Sequence, residues 1–160
     1  MRMAAASALV ATLIATPATA HADCGNPGQD PCTGPVPTVD EVVAVLARLT
    51  DPNIPAVEKN DVVTPGFSPE DDDIIDTHLQ QLSAAGIVPL NFVVTDIQPA
   101  PDNSAGATVQ TTGSFRQTSL PGPIALHREN GRWMLIHQSA ASQINVIWHN
   151  GTRYIAPFTR

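Results

Sequence analysis

The apolar residues of this 160-residue chain change their spacing at Gly86. Upstream they recur every three or four positions. Val39, Val42, Leu46 and Leu49 form one such series, and Ile75, Leu79 and Leu82, flanked by Ile74 and Ala85, form another. Downstream they alternate, as in PLNFVVTDIQP and in the threonine-rich ATVQTTGSF. A helix gathers every third or fourth residue onto one stripe, and a strand gathers every second residue onto one face. Neither pattern buries its apolar set in the other geometry. Helices followed by consecutive strands predict an α+β domain.

The ends of the elements are marked as well. Thr38, followed three residues later by Glu41, is a capping box, and the helix behind it must stop before Asp51-Pro52. Ser68-Pro69-Glu70-Asp71 offers an N-cap, a proline at the first helical position and a carboxylate to close the box. Gly86 stands where a left-handed C-cap is wanted. Between the helices, DPNIPAVEKNDVVTPG is turn chemistry with apolar patches at Val57 and Val62-Val63 and a brief helical turn near residues 56–60. Phe92 and Val94 are expected on one face of the first strand, Val93 and Ile97 on the other. PIALHREN and GRWMLIHQ form a hairpin about Asn130-Gly131, the two-residue turn that matches strand twist. That register sets Glu129 against Arg132, His127 against Met134, Leu126 against Leu135 and His137 against Ile124. The segment after Ser139 reads either as a short helix or as two strands around Asn150-Gly151. The expected architecture is two or three N-terminal helices on a curved four-stranded antiparallel sheet, with the domain at 38–142 and a tail at 143–160.

The N-terminus reads as an export signal. Arg2 precedes AAASALVATLIA, an apolar run too short to span a bilayer, and two A-x-A sites follow. Cleavage is expected after Ala22, which makes residues 1–22 a signal peptide and leaves no integral membrane segment. Asp23 is neither small nor neutral, which argues against a lipid on Cys24. Residues 23–37 form a Pro/Gly-rich arm holding both cysteines of the chain. Outside the cytosol Cys24 and Cys32 should pair, closing a short loop worth ~2–3 kcal/mol. Metal ligation and a redox couple are the alternatives, against which stand the number of cysteines and the lack of a C-x-x-C spacing.

The formal charge is −7, which argues against nucleic acid as the partner. Acids crowd the first part: from Asp23 to Asp102 only Arg48 and Lys59 oppose them. From Asn103 onward Glu129 faces five arginines. Glu70 to Asp73, with Asp76 and His78, invites a metal, but only Asp72 with Asp76 and Asp71 with His78 share a helix face. Carboxylates in a first turn already favour the helix dipole. His127 and His137 are expected on opposite faces. Asp96 and His137 are the pair that acid–base chemistry would need. No nucleophile elbow, phosphate loop or dinucleotide fingerprint occurs. No metal, cofactor or catalytic residue is assigned, and Trp148 has a better claim than Trp133 to a binding surface.

PTVDEVVAVLARLTDPNIPAVEKNDVV, VPLNFVVTDIQPA and NGRWMLIHQSA, taken in order, resemble the mycobacterial low-molecular-weight secreted antigen (Mtb12-like) family. The likeness covers residues 37–142, and its most specific part is a helix ending in L-x-DPN with a lysine-containing turn behind it. The resemblance implies an exported actinobacterial antigen without established enzymatic activity. It also implies a cone-like fold similar to nuclear-transport-factor-2 or cystatin-like domains. The expected function is therefore that of a secreted, non-catalytic protein. It would bind a small apolar ligand or an envelope or extracellular protein partner. A small isomerase or lyase using an Asp/His pair in the same pocket is the alternative.

Overall fold

A computed structural model of the chain describes residues 24–25, 28–113 and 119–155. The export signal and its cleavage site after Ala22 lie outside the described residues. The element order is α1 (Val39–Leu49), a 3-10 turn (Ala56–Asp61), β1 (Val63–Thr64), α2 (Pro69–Ala84), β2 (Asn91–Ala100), β3 (Ser104–Thr112), β4 (Gly122–Glu129), β5 (Arg132–Ile136) and α3 (His137–Ile155). The fold is α+β.

Both helix starts follow from their caps. Thr38 and Glu41 exchange side-chain and backbone hydrogen bonds at α1, and Ser68 and Asp71 do so at α2. α2 ends in a Schellman arrangement: Gly86, at φ +67°, donates to the Ser83 carbonyl, and Ile87 donates to Leu82. Leu82 and Ile87 are both buried there, so the chain leaves the helix with its direction set.

The sheet has five strands in the order β1-β5-β4-β3-β2 and is mixed, not four-stranded and antiparallel. The extra strand comes from the Val62-Val63 patch. Val63 pairs in parallel with Leu135, and the Leu135 amide donates to the Val62 carbonyl at 2.8 Å. Two residues are too few to display a period. The β4–β5 hairpin has the expected register from Leu126↔Leu135 to Glu129↔Arg132, with Asn130 and Gly131 both at positive φ. His137 is not in that ladder, because it begins α3.

β2 departs from simple alternation. Between Thr95 and Gln98 its register with β3 slips by one residue, and Asp96 takes a left-handed φ of +53°. This bulge turns Ile97 back toward the core, on the side of Val94 and not of Val93 as simple alternation requires.

Of the two readings of the segment after Ser139, the described residues take the helix and not the hairpin. α3 runs unbroken across the expected boundary at 142/143, and Ala140, Ile144 and Ile147 fill the core. α1 and α3 rest on the sheet, while α2 packs mainly on α3 and the 3-10 turn. The dipeptide Asn150-Gly151 lies inside α3. A β-carbon on Gly151 would stand 2.4 Å from Leu82 Cδ2 and 3.0 Å from Ile87 Cδ1. The glycine serves close helix approach here, and no turn is involved.

Gly151→Ala is expected to lower stability by about 1–3 kcal/mol through overpacking. In a Leu82→Ala background the same change should be milder, because the clashing methyl is gone. Urea midpoints of the four proteins test this.

Candidate binding cleft

Where α1 stops, its last turn and the following DPN segment form one wall of a surface cleft of about 500 Å³. Thr50 closes the helix by donating its hydroxyl to the Leu46 carbonyl. Asp51 Oδ1 then accepts from both the amide and the side chain of Asn53, at 2.9 and 3.0 Å, which folds DPN into an Asx turn. α2 grips this loop from below. Gln80 donates to the Pro52 carbonyl at 2.7 Å, and Asp76 accepts the Ala56 amide at 2.8 Å. The opposite wall is Val88, Pro89 and Leu90, just ahead of β2. Ala47 and Ser83 complete the lining, so the cleft is apolar with hydroxyl, amide and carboxylate groups at one end.

Beneath the loop lies Lys59, whose side chain has no exposed surface. Its ammonium donates to the Asp51 carbonyl at 2.9 Å. Burial pulls its pKa down from 10.5 to about 8, against the nearby carboxylates of Asp76 and Asp51 and with the help of Arg48. Arg48 Nε in turn donates to both oxygens of Asp61, at 2.9 and 2.7 Å. The two basic residues of the acidic half are thus both engaged internally. Sequence reasoning noted Lys59 as one of two bases among the acids of the first part and as part of the family resemblance, and gave it no structural role. A lone lysine between Val57 and Val62, among acids, was the signal that it is buried.

Helices and sheet meet over a packed apolar core. A second surface pocket, of about 20 Å³, lies against Ile87, Thr111, Ile147 and Gly151.

The other candidate groups are scattered. Asp96 sits in the bulge of β2, bonded to Thr95, and β2 and β5 lie at opposite sides of the β3–β4 pair. His137, the first residue of α3 directly after β5, therefore does not meet it. His137 Nδ1 bonds the Gly66 carbonyl at 2.9 Å, and its Nε2 lies 3.8 Å from Asp71. His127 bonds Ser104. Asp71 is held by Ser68, whose hydrogen bonds keep its carboxyl below the usual range. Trp148 is not a free aromatic: it stacks on His78 with ring centroids 4.1 Å apart and planes 7° apart. Burial there, with His149 nearby, lowers the His78 pKa. Cys24 and Cys32 form a disulfide, and the arm they close lies against the β2–β3 turn.

Two pH effects follow. Lys59 has a depressed folded pKa, so the unfolded chain binds the extra proton between about pH 8 and 10.5 and stability rises with pH across that window. The full gain is up to ~3 kcal/mol. Lys59→Met should remove that rise and leave the Asp51 carbonyl without its donor, costing about 1–3 kcal/mol at neutral pH. His78 also resists protonation in the fold, so stability falls as pH drops through its ordinary value of 6.5. His78→Phe keeps a ring on Trp148 and should flatten that limb. Urea titrations between pH 5 and 10.5 measure both effects.

Comparison with known proteins places these features in a family. Residues 35–147 match the family described as "Low molecular weight antigen MTB12, C-terminal domain". The low molecular weight antigen MTB12 of Mycobacterium bovis is 34% identical over 112 residues, which cover 69% of this chain and 66% of that protein. The Mycobacterium tuberculosis protein of the same name gives the same figures. The Mycobacterium leprae homologue is 32% identical over 113 residues, covering 70% of this chain and 67% of that protein. The matched stretch thus spans just under two thirds of the M. bovis and M. tuberculosis proteins. The match runs from the arm before α1 through the DPN loop and Lys59 to the middle of α3, and the chain belongs to the MTB12 low molecular weight antigen family.

Proposed function

We propose that this chain is an exported, non-catalytic binding protein, cleaved after Ala22, whose ligand site is the cleft between the DPN loop and the start of β2. The observation that carries this reading is the size of the cleft, about 500 Å³, against about 360 Å³ for the pocket beside the disulfide arm and about 20 Å³ for the one at Ile87. The cone-like layout implied by the resemblance would put a ligand in the interior, and the filled core supports an outside site instead. The residues of the DPN segment that give the family likeness its specificity line or anchor that cleft. The relatives are named as antigens, which supports a role in the extracellular space or cell envelope. The acid–base alternative loses its support, since Asp96 and His137 are held apart.

The lining suits a small apolar group bearing a positive charge. Butylammonium is expected to shift the amide resonances of Thr50 to Asn53 and Val88 to Leu90, and butyrate to shift them less. Ala47→Trp fills the cleft and should abolish the response. Shifts centred on Thr111 and Ile147 would instead put the site in the interior and overturn this reading. A mass spectrum of the secreted protein should show a chain beginning at Asp23, two hydrogens lighter than its reduced form.

A further inference from the structure

Among the described residues, the start of β2 is an open strand edge. β2 ends the sheet, and no strand among the described residues pairs with its outer side. Exposed edges are ordinarily blunted by charge, proline or a bulge. The second half of β2 has two of these, the bulge at Asp96 and Pro99. The first half, Asn91 to Thr95, has none: it reads NFVVT, carries no charge, and leaves Val93 55% exposed.

The edge runs straight out of the cleft. Leu90 lines the cleft and Asn91 opens the strand. α1 contacts both β2 and β5, and Ala47 lines the cleft together with Leu90. At helical spacing, Ala44 and Asp40 continue the exposed row from Ala47, and Asp51 follows in the turn beyond the helix end. A strand edge that opens from a cleft walled by a helix end is a surface of the kind that accepts an added strand.

Charge selects the occupant. Two acids flank the row, Asp40 in the first turn of α1 and Asp51 in the DPN turn beyond its end, and the cations of this half, Arg48 and Lys59, are already bonded to Asp61 and to the Asp51 carbonyl. Eleven residues of helix span about 16 Å, the length of about five extended residues.

Building on the cleft assignment, we infer that this edge takes an extended segment of a partner protein, added as a strand to Asn91–Thr95 with basic side chains toward Asp51 and Asp40. Main-chain hydrogen bonds supply the affinity, and the cleft and the two carboxylates supply the selection.

The test is an amide-resonance titration of the oxidised, exported chain with the capped peptide Thr-Lys-Val-Thr-Val-Lys-Thr. Two control peptides are used, one N-methylated at alternate residues and one with glutamate in place of both lysines. The expected result is shifts at Asn91–Thr95 and Ala47–Asn53, with binding at least tenfold weaker for either control. Val93→Pro should weaken the parent peptide by a similar factor, and the N-methylated peptide gives the same information without altering the protein. Shifts confined to Thr50–Asn53 and Val88–Leu90, insensitive to N-methylation, would overturn strand addition and leave the cleft standing. No shift in either region at millimolar peptide would overturn both. Concentration-dependent broadening of Asn91–Thr95 without peptide would assign the edge to a second copy of the chain, and the inference would fail.

Discussion

The contact among Leu82, Ile87 and Gly151 joins the two halves of this protein. Leu82 gives the carbonyl that ends α2, and Ile87 gives the amide that caps it. Both side chains then close on the one residue of α3 that lacks a side chain. Because the cap fixes the exit direction, the chain reaches Leu90 on the far side of the DPN loop, and β2 starts there. The cleft and the strand edge inherit their positions from this junction. A helix that approached less closely would leave α2 without its main support, since it packs chiefly on α3 and the 3-10 turn.

Electrostatics act at a second level. Fourteen of the fifteen acids precede Asn103, and among the described residues none of them forms an ion pair with an arginine of the second part. Instead, specific carboxylates become structural acceptors: Asp71 and Glu41 in caps, Asp51 in a turn, Asp76 on the 3-10 turn. Lys59 is the exception, an ammonium held without water. Burying it is unfavourable in itself, and its carbonyl bond together with two nearby carboxylates offsets only part of the loss, as its lowered pKa records. It fixes the loop that shapes the cleft without touching whatever enters it.

Much of this was legible in the residues. Caps are local, so Thr38-x-x-Glu41 and Ser68-x-x-Asp71 identified their helices, and Asn130-Gly131 set the hairpin register. The misses are tertiary. β1 is too short to carry a period and exists because β5 offers it an edge. Ile97 changes face because Asp96 adopts a left-handed conformation that alternation does not reveal. Asn150-Gly151 is a turn signal in isolation, but the row Ala140, Ile144, Ile147, Gly151 is helical, and packing on Leu82 decides between them. The cleft was not legible, since it needs α1, α2 and β2 brought together. Its chemistry was visible only as the lysine and the DPN turn.

The bulge in β2 divides the work of one strand. Beyond it, Ile97 faces the core and Pro99 stands on the closed part of the edge, so changes there disturb the fold. Before it, the side chain of Val93 projects away from the core and can vary without repacking anything. One strand therefore carries two duties: Phe92, Val94 and Ile97 belong to the interior along its length, while the outward side chain of Val93 is free of it, and a single left-handed residue keeps Ile97 on the inner side.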